Sequence, residues 1–380
     1  MGWPFFLEKY KLKKNNKLTL KIPIGSLDKP YKPLEVTLER DGYSFPIKDV
    51  NHVLKQNKDL NKNLKCPLTT EKLIDHLKNP HNISFSSDEE EQASLDLKVI
   101  NYYRISAFRK LIYKRTPSYT DLITLYNFDR YLRDSLSRLL PGVEVYLKTS
   151  LARFLSTNYD NYKTPCSELP GGLVYLDNNI YISKKIKDVN IMLSTFAEEL
   201  LKKIGKDAMI THHVVNYGGN IPIWVLFEEI TLGQFSRFVS LLNNNVLEGW
   251  TSNILQGIPD SVCYSGIKGW ITTIQMLRNK VAHSSKIYGD HIPYNPKLLR
   301  ENIERSGKSI PDFYDNYQHT IFGGLLTVKI FYSDLRSNDR DSWNNFLKKI
   351  KQRISNSNVI KTRCLGFPDN WYDYLIIKNS

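Results

Sequence analysis

The spacing of apolar residues changes early in this 380-residue chain. Apolar and polar residues alternate over Lys17–Ile24, and Leu34–Leu38 and Tyr43–Ile47 are similar short runs. Alternation is typical of strands, and Asp41-Gly42 between the last two runs is a hairpin signal. The pattern predicts a small β-containing extension over residues 1–65, with a partly disordered basic arm as the alternative.

From residue 66 onward, apolar residues recur every three or four positions, which predicts helices. Thr69-Thr70-Glu71 has the character of a helix start, and Ser118 and Asp121 have the spacing of a capping box. The leucines after Ser118 predict one long helix, or two helices divided at Pro141-Gly142. The acidic run Ser84–Glu91 is either a loop or the start of a helix. Further helices are predicted over Leu95–Lys114, Asp188–Lys203, Leu226–Leu242, Ser265–His283, Tyr317–Ser333 and Asp341–Ile354.

These patterns predict a mainly α fold in three parts. The basic extension covers residues 1–65, and a helical region covers residues 66–117. A larger helical domain covers residues 118–380. Residues 156–184, which are rich in Asn, Pro and Gly, are predicted to form a loop-rich insertion in it.

The charge indicates the kind of partner. The chain has 53 Lys and Arg against 39 Asp and Glu, a formal net charge of +14, and 12% aromatic residues, which argues against global disorder. Residues 1–65 hold 14 of those cations and 7 of the anions, and therefore half of the surplus. A surplus of this size favours nucleic acid or an anionic membrane face, with solubility alone as the alternative.

Cysteine spacing, the length of apolar runs and the N-terminal sequence indicate the expected cellular location. The four cysteines (Cys66, Cys166, Cys263 and Cys364) have neither metal-ligand nor redox spacing. No apolar run reaches the roughly 18 residues of a membrane span, and the N-terminus lacks the pattern of a secretory signal. We therefore expect a cytoplasmic protein that does not contact membranes.

The candidate chemistry lies in Arg278-Asn279-Lys280-Val281-Ala282-His283, near the end of a predicted helix. Asn279 and His283 are four residues apart and share a helix face, and Arg278 lies about 140° round the helix from His283. A histidine can transfer a proton to or from the 2′-hydroxyl or the leaving 5′-oxygen of RNA, and an arginine can bind the phosphate. On spacing alone, a surface arginine and a partly buried structural histidine are the more economical interpretation.

The sequence around this motif favours the catalytic interpretation of Arg278 and His283 over the structural one. The string Met276–His283, preceded by Trp270, resembles the HEPN motif of the Abi-like phage-resistance proteins of the AbiD/AbiF group. Four further segments resemble that family in the same order: Asn101–Ser106 (NYYRIS), Asp129–Arg133 (DRYLR) with Glu144 after it, Pro222–Gly233 (PIWVLFEEITLG) and Gly366–Trp371 (GFPDNW).

The resemblance implies a HEPN-type helical bundle, commonly dimeric, that acts as a metal-independent endoribonuclease in abortive infection. Some such proteins are toxins regulated by a small structured RNA. The resemblance assigns Arg278 and His283 as the catalytic pair and Asn279 as the residue that orients them. Ser284 stands where the family often has a second histidine. The expected partners are RNA, as substrate and as a bound noncoding RNA, and a second copy of the chain, with no cofactor.

Several other residues are candidates for the same site. Glu144 is expected to support Arg278, with a solvated helix charge as the alternative. Residues expected to bind RNA are Tyr103, Arg104, Lys280, Lys286 and Tyr288, against the alternatives of core tyrosines and a solvated basic face. His212-His213 suggests a metal weakly, because adjacent side chains point apart. A non-catalytic RNA-binding protein and an interaction scaffold are the alternative functions.

Overall fold

The computed structural model describes residues 17–24, 32–39, 66–162, 169–255, 258, 260–293, 296–297, 299 and 309–378. The chain divides into two compact units, residues 1–77 and residues 78–380. All of the candidate site residues belong to the second unit.

In the first unit, strands β1 (Lys17–Ile24) and β2 (Lys32–Glu39) pair in antiparallel register, with Leu20 opposite Val36. The predicted turn Asp41-Gly42 and strand Tyr43–Ile47 lie outside the described residues, and a β-containing domain over residues 1–65 stays a prediction. Helix α1 (Thr70–Lys78) confirms the short helix predicted after Pro67.

The second unit is helical over most of its described residues. The helices are α2 (Ser87–Val99), α3 (Tyr102–Ser106), α4 (Tyr119–Thr157), α5 (Ile186–Leu201), α6 (Ala208–Asn216), α7 (Ile223–Glu229), α8 (Leu232–Leu241), α9 (Asn244–Ile254), α10 (Asp260–Ala282), α11 (Ile310–Tyr317), α12 (Ile321–Tyr332), α13 (Ser337–Ser355) and α14 (Trp371–Leu375). A mainly α fold is therefore confirmed.

Helix α4 is the longest of these and remains one helix through Pro141. The predicted capping box at its start is present, since the Ser118 and Asp121 side chains each accept from the other's backbone N–H. Pro141 cannot donate a hydrogen bond to the Ser137 carbonyl. Both residues are exposed, so water can satisfy that carbonyl and the helix continues.

Capping residues explain where several sequence predictions were wrong. The predicted helix Leu95–Lys114 is divided because Asn101 caps the separate helix α3. The predicted helix Leu226–Leu242 is divided because Thr231 forms a capping box with Gln234 at the start of α8. Part of the predicted insertion forms short 3-10 turns at Gly171–Leu176, Asn178–Ile180 and Ser183–Lys185. The prediction missed α6, α9, α11 and α14.

Helix α10 lies in the core of the unit and packs against α4, α8, α9 and α12. Five apolar residues on one face of this helix are fully buried: Ile267, Trp270, Ile271, Ile274 and Leu277. Because one face of α10 is fixed by this packing, the orientation of its last turn is fixed as well.

A buried carboxylate fixes the chain that follows α10. Asp129, on α4, accepts from the backbone N–H groups of Ile287 and Tyr288, both at 2.7 Å, through one oxygen. Its second oxygen accepts from Arg133 Nε at 3.0 Å. Burial raises the pKa of the Asp129 carboxyl, and these donors oppose the shift. The segment after α10 is therefore hydrogen-bonded directly to α4.

We expect Asp129→Ala to lower the free energy of unfolding by about 3 kcal/mol, because it leaves two buried N–H groups and a buried guanidinium without their acceptor. Urea denaturation followed by circular dichroism measures the change. The control is Asp134→Ala, since Asp134 lies one turn away in an exposed ion pair with Arg130. Its effect should stay within about 0.5 kcal/mol, and equal losses for both variants would contradict the proposed role of Asp129.

Candidate functional site

The last turn of α10 carries the candidate triad. Arg278 and Asn279 are partly exposed and His283 is exposed. Arg278 Nη1 lies 3.4 Å from Asn279 Oδ1, a long contact, and the His283 N–H donates to the Asn279 carbonyl at 3.0 Å. The three predicted residues thus lie at one helix end that reaches solvent, and the side chains of Arg278 and Asn279 are in contact there.

Helix α10 ends in a turn that reverses the chain immediately after His283. The Ser285 N–H donates to the Lys280 carbonyl at 2.8 Å, and the Ser284 N–H donates to the Val281 carbonyl at 3.0 Å. This is the Schellman arrangement, and Ser284 takes the left-handed conformation that glycine usually supplies, with φ of +52°. The Ser284 carbonyl then accepts from Arg104 Nη1 at 2.7 Å. Arg104 therefore anchors the residue next to His283.

Two ion pairs that share Glu144 connect Arg278 with a buried lysine. Glu144 Oε2 lies 3.8 Å from Arg278 Nε, and Glu144 Oε1 lies 2.8 Å from Lys148 Nζ. Lys148 is buried and also donates to the Ile230 carbonyl at 2.7 Å. The structure thus places the predicted residue Glu144 beside Arg278 and adds Lys148, which sequence reasoning missed although Glu144 and Lys148 have the four-residue spacing of a helical ion pair.

The five predicted RNA-binding residues divide into two groups. Tyr103, which is 66% exposed, and Arg104 are open to solvent on α3, beside the end of α10. Lys280 is paired with Asp290 and its side chain is 13% exposed. Lys286 is partly buried, 5.7 Å from the centre of the Phe108 ring, and burial lowers its pKa.

The prediction that Tyr288 binds RNA is wrong, because the residue is buried. Its side chain is fully buried, where its ring meets Phe128 edge to face. Its hydroxyl accepts from the Lys361 N–H at 2.7 Å. Tyr288 cannot contact RNA in this fold and instead packs the segment that Asp129 holds. The sequence assigned it to the surface because it follows the exposed end of the motif.

Among the described residues, the structure places no third metal ligand beside His212 and His213. His212 is exposed and His213 is partly buried on α6, and their rings lie 5.5 and 5.3 Å from the ring of Tyr217. Within the described part of the chain, no group of three or more His, Cys, Asp or Glu side chains has metal-binding geometry. Likewise, none of the described helices combines the length and apolar content required to cross a bilayer.

Taken together, the fold and the site define a mainly helical protein with an Arg, Asn and His cluster at a helix end and a carboxylate facing the arginine. The Abi-like protein family matches residues 96–289, just over half of the chain. The chain belongs to this family. The match spans all of the candidate catalytic, supporting and RNA-binding residues and ends at Gly289, so the Gly366–Trp371 segment lies outside it.

Family membership links the chain to abortive infection, a form of phage defence. A second similarity is to an L-arabinose isomerase of Levilactobacillus brevis, which is 28% identical over 101 residues. That stretch is 26% of this chain and 20% of the isomerase. The chain thus spans about a fifth of the length of that curated relative, and the similarity indicates no activity for it. No solved structure matches the chain.

We expect Glu144→Ala to lower the free energy of unfolding by about 3 kcal/mol, because the buried Lys148 ammonium loses its anionic partner. Thermal and urea denaturation measure the change. Val145→Ala is the control, since this neighbouring side chain is 53% exposed. The loss should shrink when Lys148→Met is already present; an identical loss in both backgrounds would show that the two residues are not coupled.

Proposed function

We propose that this protein is a metal-independent endoribonuclease of abortive infection, built on a HEPN-type helical bundle, that cleaves single-stranded RNA. The exposed cluster of Arg278, Asn279 and His283, with Glu144 next to the arginine, is the observation that supports the proposal most directly. Membership of the Abi-like family supports the defence role.

The proposed chemistry is in-line attack by the 2′-hydroxyl on the adjacent phosphorus. His283 moves a proton at the 2′-oxygen or the leaving 5′-oxygen, and Arg278 binds the phosphate and stabilises its transition-state charge. The P–O5′ bond breaks, which leaves a 2′,3′-cyclic phosphate and a free 5′-hydroxyl. Glu144 holds Arg278, and Asn279 orients the pair.

One histidine serves poorly as acid and base on opposite sides of an in-line phosphate. We therefore propose a homodimer whose two sites lie close enough for each His283 to serve the same phosphate. We also propose that the basic extension over residues 1–65 binds RNA, either substrate or a regulatory noncoding RNA, because it carries half of the net charge.

Purified protein is expected to cleave labelled single-stranded RNA in the presence of EDTA. Arg278→Ala and His283→Ala should each lower the cleavage rate at least about 100-fold, since each removes a group acting in the transition state. Matched controls are Arg237→Ala and His212→Ala, because both side chains are exposed on other parts of the surface. Cleavage that stops on chelation, or that survives in the Arg278→Ala, His283→Ala double variant, would refute the mechanism.

A non-catalytic RNA-binding protein is the second candidate function. The exposed pair Tyr103 and Arg104 and the net charge of +14 favour it, because stacking and phosphate contact need no catalysis. A defined RNA that copurifies with the chain, without turnover in vitro, would support this alternative. Toxicity on expression of the wild type that is absent for His283→Ala would support the nuclease.

The RNA-binding role of residues 1–65 predicts a change in salt dependence. Replacing Lys9, Lys11, Lys13 and Lys14 by glutamine should lower the slope of log affinity against log salt by up to about 0.7 for each phosphate that the protein no longer neutralises. Filter binding at several salt concentrations measures the slope. The control variant replaces four exposed lysines of the second unit: Lys98, Lys184, Lys348 and Lys349. Equal slopes for both variants would contradict a specific role for the extension.

A further inference from the structure

A cavity of about 320 Å³ lies between α4 and α7. Helix α4 contributes Lys148, Thr149 and Arg153 to its lining, and α7 contributes Trp224, Phe227 and Glu228. This volume is at the lower end of the range of about 300–1,000 Å³ that is typical of small-molecule sites. The proposed cleavage chemistry makes no use of this cavity.

The cavity begins on α4 one helical turn after Glu144, and its lining then turns gradually away from Glu144, since each four-residue step advances about 40° round the helix. Glu144, Lys148, Ala152 and Ser156 follow each other at intervals of four residues, and the last three line the cavity. At 1.5 Å per residue, the cavity begins about 6 Å along the axis from Glu144 and extends to about 18 Å. Lys148 belongs to both the cavity and the candidate site, since it lines the cavity and pairs with Glu144, which faces Arg278.

Trp224 is the distinctive residue of this cavity. Its side chain is 51% exposed, whereas Trp250, Trp270 and Trp343 are fully buried. One edge of the ring nevertheless packs closely on Gly172, where an added Cβ would lie only 3.0 Å from the Trp224 Cη2 atom. A tryptophan that is held at one edge and open over the rest of its ring is a platform on which a planar group can stack.

Polar groups surround this platform. Arg153 is exposed, and no hydrogen bond or ion pair of its guanidinium is found among the described residues. Glu228 is one helical turn from Trp224 on the exposed side of α7, and Thr149 adds a hydroxyl. An indole for stacking, a cation for phosphate, and a carboxylate that accepts from a base amino group together match the chemistry of an unpaired nucleotide.

We propose that this cavity binds one unpaired base of the RNA strand whose phosphate lies at Arg278. The proposal rests on the proposed function, since it takes RNA as the ligand of the neighbouring site. Trp224 stacks on the base, Arg153 contacts the adjoining phosphate, and Glu228 accepts a hydrogen bond from the base edge. The cavity thereby sets the position of the strand relative to Arg278 and His283.

Tryptophan fluorescence tests this proposal without catalysis. The protein carries His283→Ala, so that RNA is bound and not cut. It also carries Trp3→Phe, so that every remaining tryptophan belongs to the described residues, of which Trp224 is the exposed one. A short single-stranded oligoribonucleotide should quench the emission, and the same sequence in a duplex should not. Binding of the oligoribonucleotide without any quenching would overturn the proposal.

Affinity measurements give a second readout. Trp224→Ala should weaken binding of the oligoribonucleotide about 5- to 150-fold, the range for loss of one base stack, and Trp224→Phe should retain most of the affinity. Tyr217→Ala is the matched control, since Tyr217 is a 56% exposed aromatic residue on another surface, and it should leave affinity unchanged. Circular dichroism and melting temperature verify that each variant is folded.

Four outcomes separate this proposal from the proposed function. Unchanged affinity for Trp224→Ala, or equal losses for Trp224→Ala and Tyr217→Ala, would overturn the cavity proposal even if the protein cleaves RNA. Free nucleoside monophosphate that binds as tightly as the oligoribonucleotide would also overturn it, since the site would then serve a small ligand. Loss of affinity only in the Trp224→Ala variant would support it even if no cleavage is found.

Discussion

The buried carboxylate of Asp129 is the contact on which the candidate site depends. It joins α4 to the backbone of Ile287 and Tyr288, immediately after the turn that ends α10. Arg104 also holds this segment, through the Ser284 carbonyl. A helix end followed by a free loop would leave His283 mobile. Here the backbone on both sides of His283 is fixed while its side chain stays exposed, which is the arrangement that acid–base chemistry on a large substrate requires.

Electrostatics divides the second unit into paired and open cations. Lys148 and Lys280 are covered and paired with Glu144 and Asp290. Arg104 and Arg153 are exposed. The covered lysines fix carboxylates and backbone. Arg104 also holds backbone, through the Ser284 carbonyl, whereas no pairing of the Arg153 guanidinium is found among the described residues. For the proposed RNA binding, the net charge of the chain therefore overstates the number of cations that are open to phosphates.

Helix α4 connects the proposed chemistry to the proposed base site. Its Glu144 faces Arg278, and its Lys148 touches Glu144, the Ile230 carbonyl after α7, and the cavity beside Trp224. A strand seated in the cavity would therefore contact the same buried network that orients Arg278. The continuity of α4 through Pro141 matters for this reason, because a break at that residue would uncouple Asp129 from Glu144 and Lys148.

The sequence by itself determined the local structure of this protein: the helical periodicity, the capping box at Ser118, and the placement of Asn279 and His283 on one turn. These features depend on residues three or four positions apart, so the chain encodes them directly. The prediction that Glu144 supports Arg278 came from the resemblance to a known family. No spacing along the chain connects these two residues. Only the tertiary structure decided that Asp129 meets Ile287, 158 residues away, that Lys280 is paired, and that Tyr288 is buried. Such contacts depend on how the helices pack against each other, and no spacing within a single helix specifies that.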